Sequence, residues 1–351
     1  MIPLEIEKIR ELVRSPGPCV TIFLPAYHPG EQTLHSTARL LRNLVQDAAH
    51  QLETSHLARR DADALLQPLR AMADDPRTDE GCHWPRALLR SPTVLETIFL
   101  RQPAVAKSLT GERFDILPLL GELNLPKEFY LLKISRKHAA LFRAQFSLEA
   151  LPLPANLPEN ADDFLNIQKP DHDRENRSSS GPGANRRIRF GSGEERETEP
   201  DYVAYYRALD GAMHESARKA PIILSGVDEE IALFRDVSSE ANLLVGAMGD
   251  GEPGQETMER GYALLRAAAL ERVAKSLNEA KERSAPSRFT VNPEIIADAA
   301  AEGRVARLFV RSGVADHALN IAAVETIRHG GEAFMAPAEK MESSMAAVLR
   351  Y

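Results

Sequence analysis

The sequence contains few cysteines, few aromatic residues and no long run of apolar residues. Its two cysteines, Cys19 and Cys82, lie far apart and fit neither a disulfide framework nor the spacing of a zinc site. No stretch approaches the ~18–20 apolar residues that are needed to cross a bilayer. The first residues also lack the basic segment and apolar run of a signal peptide. We therefore expect a cytoplasmic protein that makes no contact with a membrane.

Motifs of the common enzyme classes are missing as well. The ten histidines are scattered, without an i, i+4 pair or a Cys-His cluster, so we predict no metal site. There is no Gly-x-Ser-x-Gly sequence, which presents a catalytic serine in many hydrolases. The glycines between 246 and 254 lack the Lys-Ser or Lys-Thr pair of a phosphate-binding loop and the context of a Rossmann loop. They favour a turn or linker, and the sequence predicts no cofactor.

The length and charge of the chain set limits on its organisation. A chain of 351 residues is long enough for two or three domains, each with its own core. The formal net charge of −8 argues against a protein that coats nucleic acid over its whole surface, but it is compatible with a local basic patch. The alternation of helical and strand patterns predicts three α/β domains, at 1–125, 126–250 and 251–351.

The first domain combines helical and strand patterns. Apolar residues at helical spacing predict a helix over 4–14, and the apolar run 19–24 predicts a buried strand. Longer helical patterns follow at 33–56 and 61–72. The stretch 87–100 is typical of one or two strands.

The second domain begins with a hairpin. Two strand-like runs, 129–135 and 139–143, flank the polar residues Arg136, Lys137 and His138. The remaining predicted elements are an extended segment at 148–153, helices at 202–217 and 229–237, and strands at 221–226 and 243–248.

The third domain is predicted to be a small α/β sandwich. Asn292 and Pro293 are typical of a helix start, and Gly303 is typical of a helix end. The predicted elements are helices at 257–283, 293–300 and 317–329, and strands at 305–310, 333–336 and 346–349.

A long polar loop at 169–201 interrupts the second domain and has no hydrophobic periodicity. Between residues 174 and 189 it carries five arginines against one acid, Glu175, so its local net charge is +4. The arginines are Arg174, Arg177, Arg186, Arg187 and Arg189. A basic, glycine-bearing loop suits an anionic partner such as RNA or phosphate. The alternative is a disordered surface loop with solvated arginines.

Three segments resemble one known family. The loop from Gly181 to Phe190, followed by a helix with Tyr202 and Tyr206, is similar to the tip of the catalytic domain of release factors. The run Gly17–Tyr27 and the run Gly330–Lys340 resemble the N-terminal and third domains of the same superfamily. The chain therefore resembles a bacterial member of the archaeo-eukaryotic peptide chain release factor and Pelota superfamily.

The resemblance implies a fold, a partner and a chemistry. It implies a ribonuclease-H-like middle domain and a C-terminal domain similar to ribosomal proteins that bind kink-turn RNA. It implies a translation-factor-like protein that engages the ribosome and tRNA, with the arginines of the loop on RNA phosphates. The family's reaction is hydrolysis of the peptidyl-tRNA ester by a Gly-Gly-Gln tripeptide. Gly183, Ala184 and Asn185 fall on that tripeptide and would be the catalytic residues.

The tip of this chain departs from the family tripeptide at two positions. Ala184 restricts the positive φ that glycine allows, and Asn185 is one methylene shorter than glutamine. A shift of ~1 Å in a catalytic group can cost about a hundredfold in rate. Two alternatives follow: the 181–191 loop releases or rescues peptidyl-tRNA, or the protein is a ribosome- or RNA-binding module that has lost ester hydrolysis. No motif predicts an oligomeric state.

Overall fold

The computed structural model describes residues 3–26, 37–75, 83–135, 137–168, 199–216, 220–238, 244–285, 287–314 and 316–351. These residues form two four-stranded sheets and one five-stranded sheet, together with α-helices. The predicted α/β fold, with three sheet-containing regions, is confirmed. No helix in these ranges is long and apolar enough to cross a membrane.

The N-terminal region is built on an antiparallel sheet. Its elements are α1 (Ile6–Leu12), β1 (Cys19–Leu24), α2 (Thr37–Thr54), α3 (Arg59–Asp74), β2 (Arg86–Arg90), β3 (Leu95–Phe99), β4 (Lys107–Gly111) and α4 (Leu117–Leu123). The strand order is β3-β2-β1-β4. The predicted first strand, the helices and the strand pair within 87–100 are confirmed, whereas β4 and α4 are elements that the sequence pattern does not predict.

Strand β1 lies at the centre of this region and is buried on both faces. Val20, Ile22 and Leu24 pack on one face against apolar residues of α2 and α3. Cys19 and Phe23 belong to a second core on the opposite face. Burial on both faces explains why the strand is a nearly continuous apolar run rather than an alternating one.

The middle region contains the five-stranded sheet. Its elements are β5 (Phe129–Ile134), β6 (Ala139–Ala144), β7 (Leu148–Leu151), α5 (Ala161–Gln168), α6 (Glu199–Ser216), β8 (Ile222–Ser225), α7 (Asp228–Val237) and β9 (Leu244–Met248). The order is β7-β6-β5-β8-β9, with an antiparallel meander of β5, β6 and β7 and with β8 and β9 parallel to β5. This is the strand order of a ribonuclease-H-like sheet, and the predicted hairpin is β5–β6.

The C-terminal region is an α/β sandwich, as predicted. Its elements are α8 (Gln255–Arg283), β10 (Phe289–Thr290), α9 (Pro293–Ala301), β11 (Val305–Arg311), α10 (His317–Arg328), β12 (Glu332–Ala336) and β13 (Met345–Leu349). The order is β10-β13-β11-β12, and only the β11–β12 pair among these strands is parallel. Apolar residues of α8 pack with one face of the sheet, and those of α9 and α10 pack with the other. Asn292 caps α9 by accepting from the Glu294 N–H at 2.9 Å.

The chain forms two compact units. One comprises Met1–Lys127 with Tyr262–Tyr351, and the other comprises Glu128–Gly261. Within the first unit, residues from both ends of the chain share one hydrophobic core. The buried Asn320 side chain of α10 accepts from the Ile116 N–H and donates to the Phe114 carbonyl, both at 2.9 Å. The division at 1–125, 126–250 and 251–351 stays a prediction.

Candidate functional site

The residues that the sequence predicts for the site lie outside the described part of the chain. They are Gly183, Ala184, Asn185, Arg174, Arg177, Arg186, Arg187 and Arg189, all within residues 169–198. The two helices on either side of this segment, α5 and α6, are described. Their contacts define the base of the candidate site.

Tyr205 of α6 ties this helix to the chain just before α5. Its hydroxyl lies 2.9 Å from the Pro158 carbonyl oxygen and 3.1 Å from that of Glu159, and donates its single proton to this pair. The Tyr205 ring also packs against Phe164 of α5, with centroids 5.5 Å apart. Burial, with a smaller contribution from Glu159, raises the pKa of Tyr205 to about 12, so the hydroxyl remains a donor at neutral pH. Helices α5 and α6 therefore form one packed pair.

Tyr206 ties the same helix to the sheet and to α7. Its hydroxyl lies 2.5 Å from Oε2 of Glu230, a buried carboxylate of α7, and 3.2 Å from the Ser135 carbonyl oxygen at the end of β5. The ring meets Phe234 of α7 edge-on, with centroids 5.7 Å apart. Rotation of α6 would break these buried contacts. Tyr206 therefore holds this helix, which follows residues 169–198 in the chain, in a fixed orientation on the sheet.

The start of α5 is fixed by the tip of the β5–β6 hairpin. The Ala139 N–H donates to the Glu159 carbonyl at 2.8 Å, and the Ala161 N–H donates to the Lys137 carbonyl at 2.9 Å. The Asn160 side chain accepts from the Asp162 N–H at 2.9 Å and so caps the helix. Both flanking helices are thus anchored to the five-stranded sheet.

Two exposed side chains of the hairpin tip, Lys137 and His138, have acidic neighbours. Lys137 Nζ lies 3.8 Å from Asp162 Oδ2, and His138 Nε2 lies 3.2 Å from Glu159 Oε2. The largest local excess of positive charge in this part of the sequence comes from the arginines between 174 and 189.

The described residues offer no metal centre. Among them, no group of three or more His, Cys, Asp or Glu side chains is placed to hold a metal ion.

A lysine of the sheet contacts the glycine-bearing turn before α8. Lys133 of β5 lies 3.1 Å from Asp250 Oδ1 and donates to the Gly251 carbonyl at 3.1 Å. The glycine-bearing turn before α8 is thus held by a lysine that belongs to the protein itself.

Sequence reasoning missed two parts of this base. Helix α5 has a short apolar pattern, but Asn160 followed by Asp162 and Asp163 is a capping residue with an acidic first turn, and that signal could have located it. Glu230 was also missed, because a carboxylate in an amphipathic helix is normally assigned to the solvent face.

Comparison with known proteins gives a family match and remote structural similarities. The family model described as Bacterial archaeo-eukaryotic release factor family 3 matches residues 128–304, just over half of the 351 residues. No curated protein matches the chain. Similar solved structures include the archaeal translation termination factor aRF1, at 14% identity and a TM-score of 0.24, covering 99% of both chains.

Two further solved structures are also similar to this chain. Pelota of Archaeoglobus fulgidus is 10% identical, with a TM-score of 0.41, over 100% of this chain and 94% of that one. Dom34 of S. cerevisiae, described as a translation termination-like factor, is 11% identical, with a TM-score of 0.34, over 79% of this chain and 87% of that one.

Proposed function

Because the chain belongs to the bacterial archaeo-eukaryotic release factor family 3, we propose that it is a cytoplasmic, translation-factor-like protein that engages the ribosome and tRNA. The observation that carries the proposal is the arginine excess at 174–189, which lies inside the matched range 128–304. Guanidinium groups bind phosphate oxygens bidentately, and RNA supplies phosphates at high density.

The packed pair of α5 and α6 supports this role. Sites work best when a rigid scaffold holds the residues that carry them, because less order then has to be gained on binding. Tyr205 packs α6 against α5 on the other side of residues 169–198, and Tyr206 fixes α6 to α7 and to the end of β5. In this proposal, Arg186, Arg187 and Arg189 contact RNA phosphates, and Gly183 to Asn185 form the tip.

Ribosome co-sedimentation tests the proposal. The variant R186Q/R187Q/R189Q should lose ribosome association at moderate salt, and the log–log salt slope should fall by roughly 3, about one for each lost phosphate contact. R14Q/R59Q/R60Q removes the same charge from exposed positions elsewhere and is the matched control. Equal co-sedimentation of both variants and the unchanged protein would contradict the proposal.

A second candidate function, peptidyl-tRNA ester hydrolysis, depends on the tip. The sequence Gly183-Ala184-Asn185 weakens this candidate, since the family tripeptide is Gly-Gly-Gln. Peptide release from stalled ribosomes should therefore be weak in the unchanged protein and should rise in A184G/N185Q, which restores the tripeptide. If Asn185→Ala abolishes release while ribosome binding persists, the present tip is itself catalytic. If neither the unchanged protein nor A184G/N185Q releases peptide, the protein is a binding module.

A further inference from the structure

We propose that the outer edge of β3 is a dimerisation surface, on which β3 of a second copy of this chain pairs in the antiparallel direction. The two four-stranded sheets would then form one continuous sheet of eight strands. The surface comprises residues 95–99 and is called the β3 edge below. It belongs to the first compact unit and shares no residue with segment 169–198, so the proposal is independent of the proposed function.

Backbone hydrogen bonds show which groups of β3 point away from the sheet. The Ser91 N–H donates to the Val94 carbonyl at 2.9 Å. At the other end of the strand, the Leu100 N–H donates to the Pro85 carbonyl at 2.7 Å. Both bonds continue the register of the β2–β3 pairs, and backbone groups alternate in direction along an antiparallel strand. The N–H and C=O groups of residues 95, 97 and 99 therefore point outwards.

The β3 edge is open to solvent. Strand β3 pairs with β2 alone among the described strands, and within the described residues the outward backbone groups of Leu95 and Thr97 have no partner. Both residues are exposed, Leu95 to 46%. The opposite edge of the same sheet differs, because the Gln51 side chain of α2 bonds to the backbone of β4. Only the β3 edge thus offers its backbone groups to another strand.

The β3 edge also lacks the features that usually prevent strand pairing. Edge strands are commonly protected by lysine, proline or a β-bulge. Strand β3 has the sequence Leu-Glu-Thr-Ile-Phe, and its register with β2 is continuous over all five residues. Its one charged residue, Glu96, lies on the other face from Leu95 and Thr97, where Lys8 of α1 is 2.5 Å away. That charge is therefore neutralised within the chain.

The sequence of β3 is complementary to itself, which identifies a second copy as the partner. Thr97 is the middle residue, and a twofold axis there places it opposite Thr97 of the second copy, with Leu95 opposite Phe99. Threonine pairs and aliphatic–aromatic pairs are favourable across antiparallel strands. Glu96 then lies opposite Ile98. An axis shifted to Glu96 would instead place two carboxylates directly opposite each other, which is unfavourable.

Analytical ultracentrifugation of the full chain tests the association. Pairing of five residues gives an interface below the ~1,200 Å² of stable complexes, so dimers should form at concentrations on the order of 100 μM and dissociate on dilution. Thr97→Pro removes the outward N–H and should raise the dissociation constant roughly tenfold. Thr97→Val keeps this N–H and should dimerise like the unchanged protein. A chain that stays monomeric at these concentrations, or a Thr97→Pro variant that associates like Thr97→Val, overturns the proposal.

The variant Leu95→Lys tests the same edge without a change in the backbone. Lysine is a residue by which natural edge strands avoid pairing, so association should weaken roughly tenfold. Proline at position 97 is compatible with an edge strand whose N–H faces solvent, but Leu95→Lys keeps the test valid if that variant folds poorly. Val291→Lys is the matched control, because Val291 is 49% exposed and lies outside the N-terminal sheet. Equal association of the two lysine variants would rule out the β3 edge.

Disulfide crosslinking tests the register. Residues that exchange backbone bonds across antiparallel strands have Cα atoms ~5.5 Å apart, which a disulfide can span. In a Cys82→Ser background, in which the remaining Cys19 is buried, Thr97→Cys should therefore form a covalent dimer on mild oxidation. Leu95→Cys should not, because four residues of strand separate the two positions by roughly 14 Å. Equal crosslinking of the two variants, or none at position 97, would show that any dimer uses another surface or register.

Discussion

Arg101 and Glu122 form a buried ion pair in the first compact unit. Arg101 Nε lies 2.5 Å from Glu122 Oε1, and the Arg101 backbone N–H donates to Glu122 Oε2 at 2.8 Å. The guanidinium group also donates to the carbonyl oxygens of Pro126 and Lys127, and it lies 5.4 Å from the centroid of the Tyr262 ring. Each residue of this pair is important for stability, because removal of either charge would leave the other one buried without a counter-charge.

We predict that Glu122→Ala lowers the free energy of unfolding of this unit by about 3–5 kcal/mol, because Arg101 would then be a buried cation without its counter-charge. Urea denaturation followed by Trp84 fluorescence measures this, since Trp84 is the single tryptophan, is buried and packs edge-on against Tyr262. Arg42→Ala, which breaks an exposed pair with Asp74, is the control and should cost at most about 1 kcal/mol. Equal losses for the two variants would contradict the prediction.

Cys19 gives a prediction about pH. Burial, partly offset by Arg113, raises the pKa of its thiol from 9.0 to about 12. Since the folded-state pKa is the higher one, the stabilising contribution of the protonated thiol is fully present below pH 9 and is lost as the pH rises towards 12. In a Cys82→Ser background, a thiol-specific disulfide reagent should therefore label Cys19 at pH 8 only when the protein unfolds. Rapid labelling of the native protein would show that the thiol is accessible and ionised.

At the scale of elements, α2 protects an open sheet edge. Strand β4 is an edge strand, and its outward backbone groups would be exposed to other chains. The Gln51 side chain of α2 donates from Nε2 to the Ser108 carbonyl at 2.9 Å, and its Oε1 accepts from the Thr110 N–H at 3.0 Å. One side-chain amide thus takes the place of a peptide group of a neighbouring strand.

We expect Gln51→Leu to cost about 1–3 kcal/mol, because Ser108 and Thr110 each lose a backbone partner. The same variant should aggregate more readily through the uncovered edge. Urea denaturation by Trp84 fluorescence and static light scattering are the measurements. Gln46→Leu, at an exposed position of the same helix, is the matched control. A loss of stability that is no larger than that of the control would exclude the edge-covering role.

Three of the elements missed from the sequence, β4, β10 and α5, share a physical cause. Strands β4 and β10 and helix α5 are short, and none has the apolar periodicity that identifies longer elements. Strand β4 forms because β1 offers a partner along its whole length. Helix α5 forms where the β5–β6 hairpin and Tyr205 hold its start. Their partners come from distant parts of the chain, and local patterns carry no information about them.

At the scale of the whole molecule, the first compact unit is assembled from both ends of the chain. Its core combines residues of β1 and α4 with residues of α9, α10 and β11. Asn320 is the polar link in that core, since it bonds to the backbone of Phe114 and Ile116. The two segments should therefore unfold together.

The variant Asn320→Ala tests this cooperativity. It should lower the stability reported by Trp84 by about 2–4 kcal/mol, because two buried backbone groups lose their partner, although Trp84 is remote from Asn320 in sequence. Asn278→Ala, at an exposed position of α8, is the control. Independent N- and C-terminal domains would instead leave the Trp84 transition of Asn320→Ala unchanged.

The sequence by itself determined the α/β class, the longer helices and strands, the hairpin and the cap at Asn292, because periodicity, turn residues and capping act over a few neighbouring positions. It also located the arginine-rich segment and its departure from Gly-Gly-Gln. Only the tertiary structure decided that residues from 3–127 and from 262–351 share a core and that Arg101 meets Glu122 in the interior. These contacts join positions far apart in the chain, and they are chosen by burial and strand pairing, which local sequence does not encode.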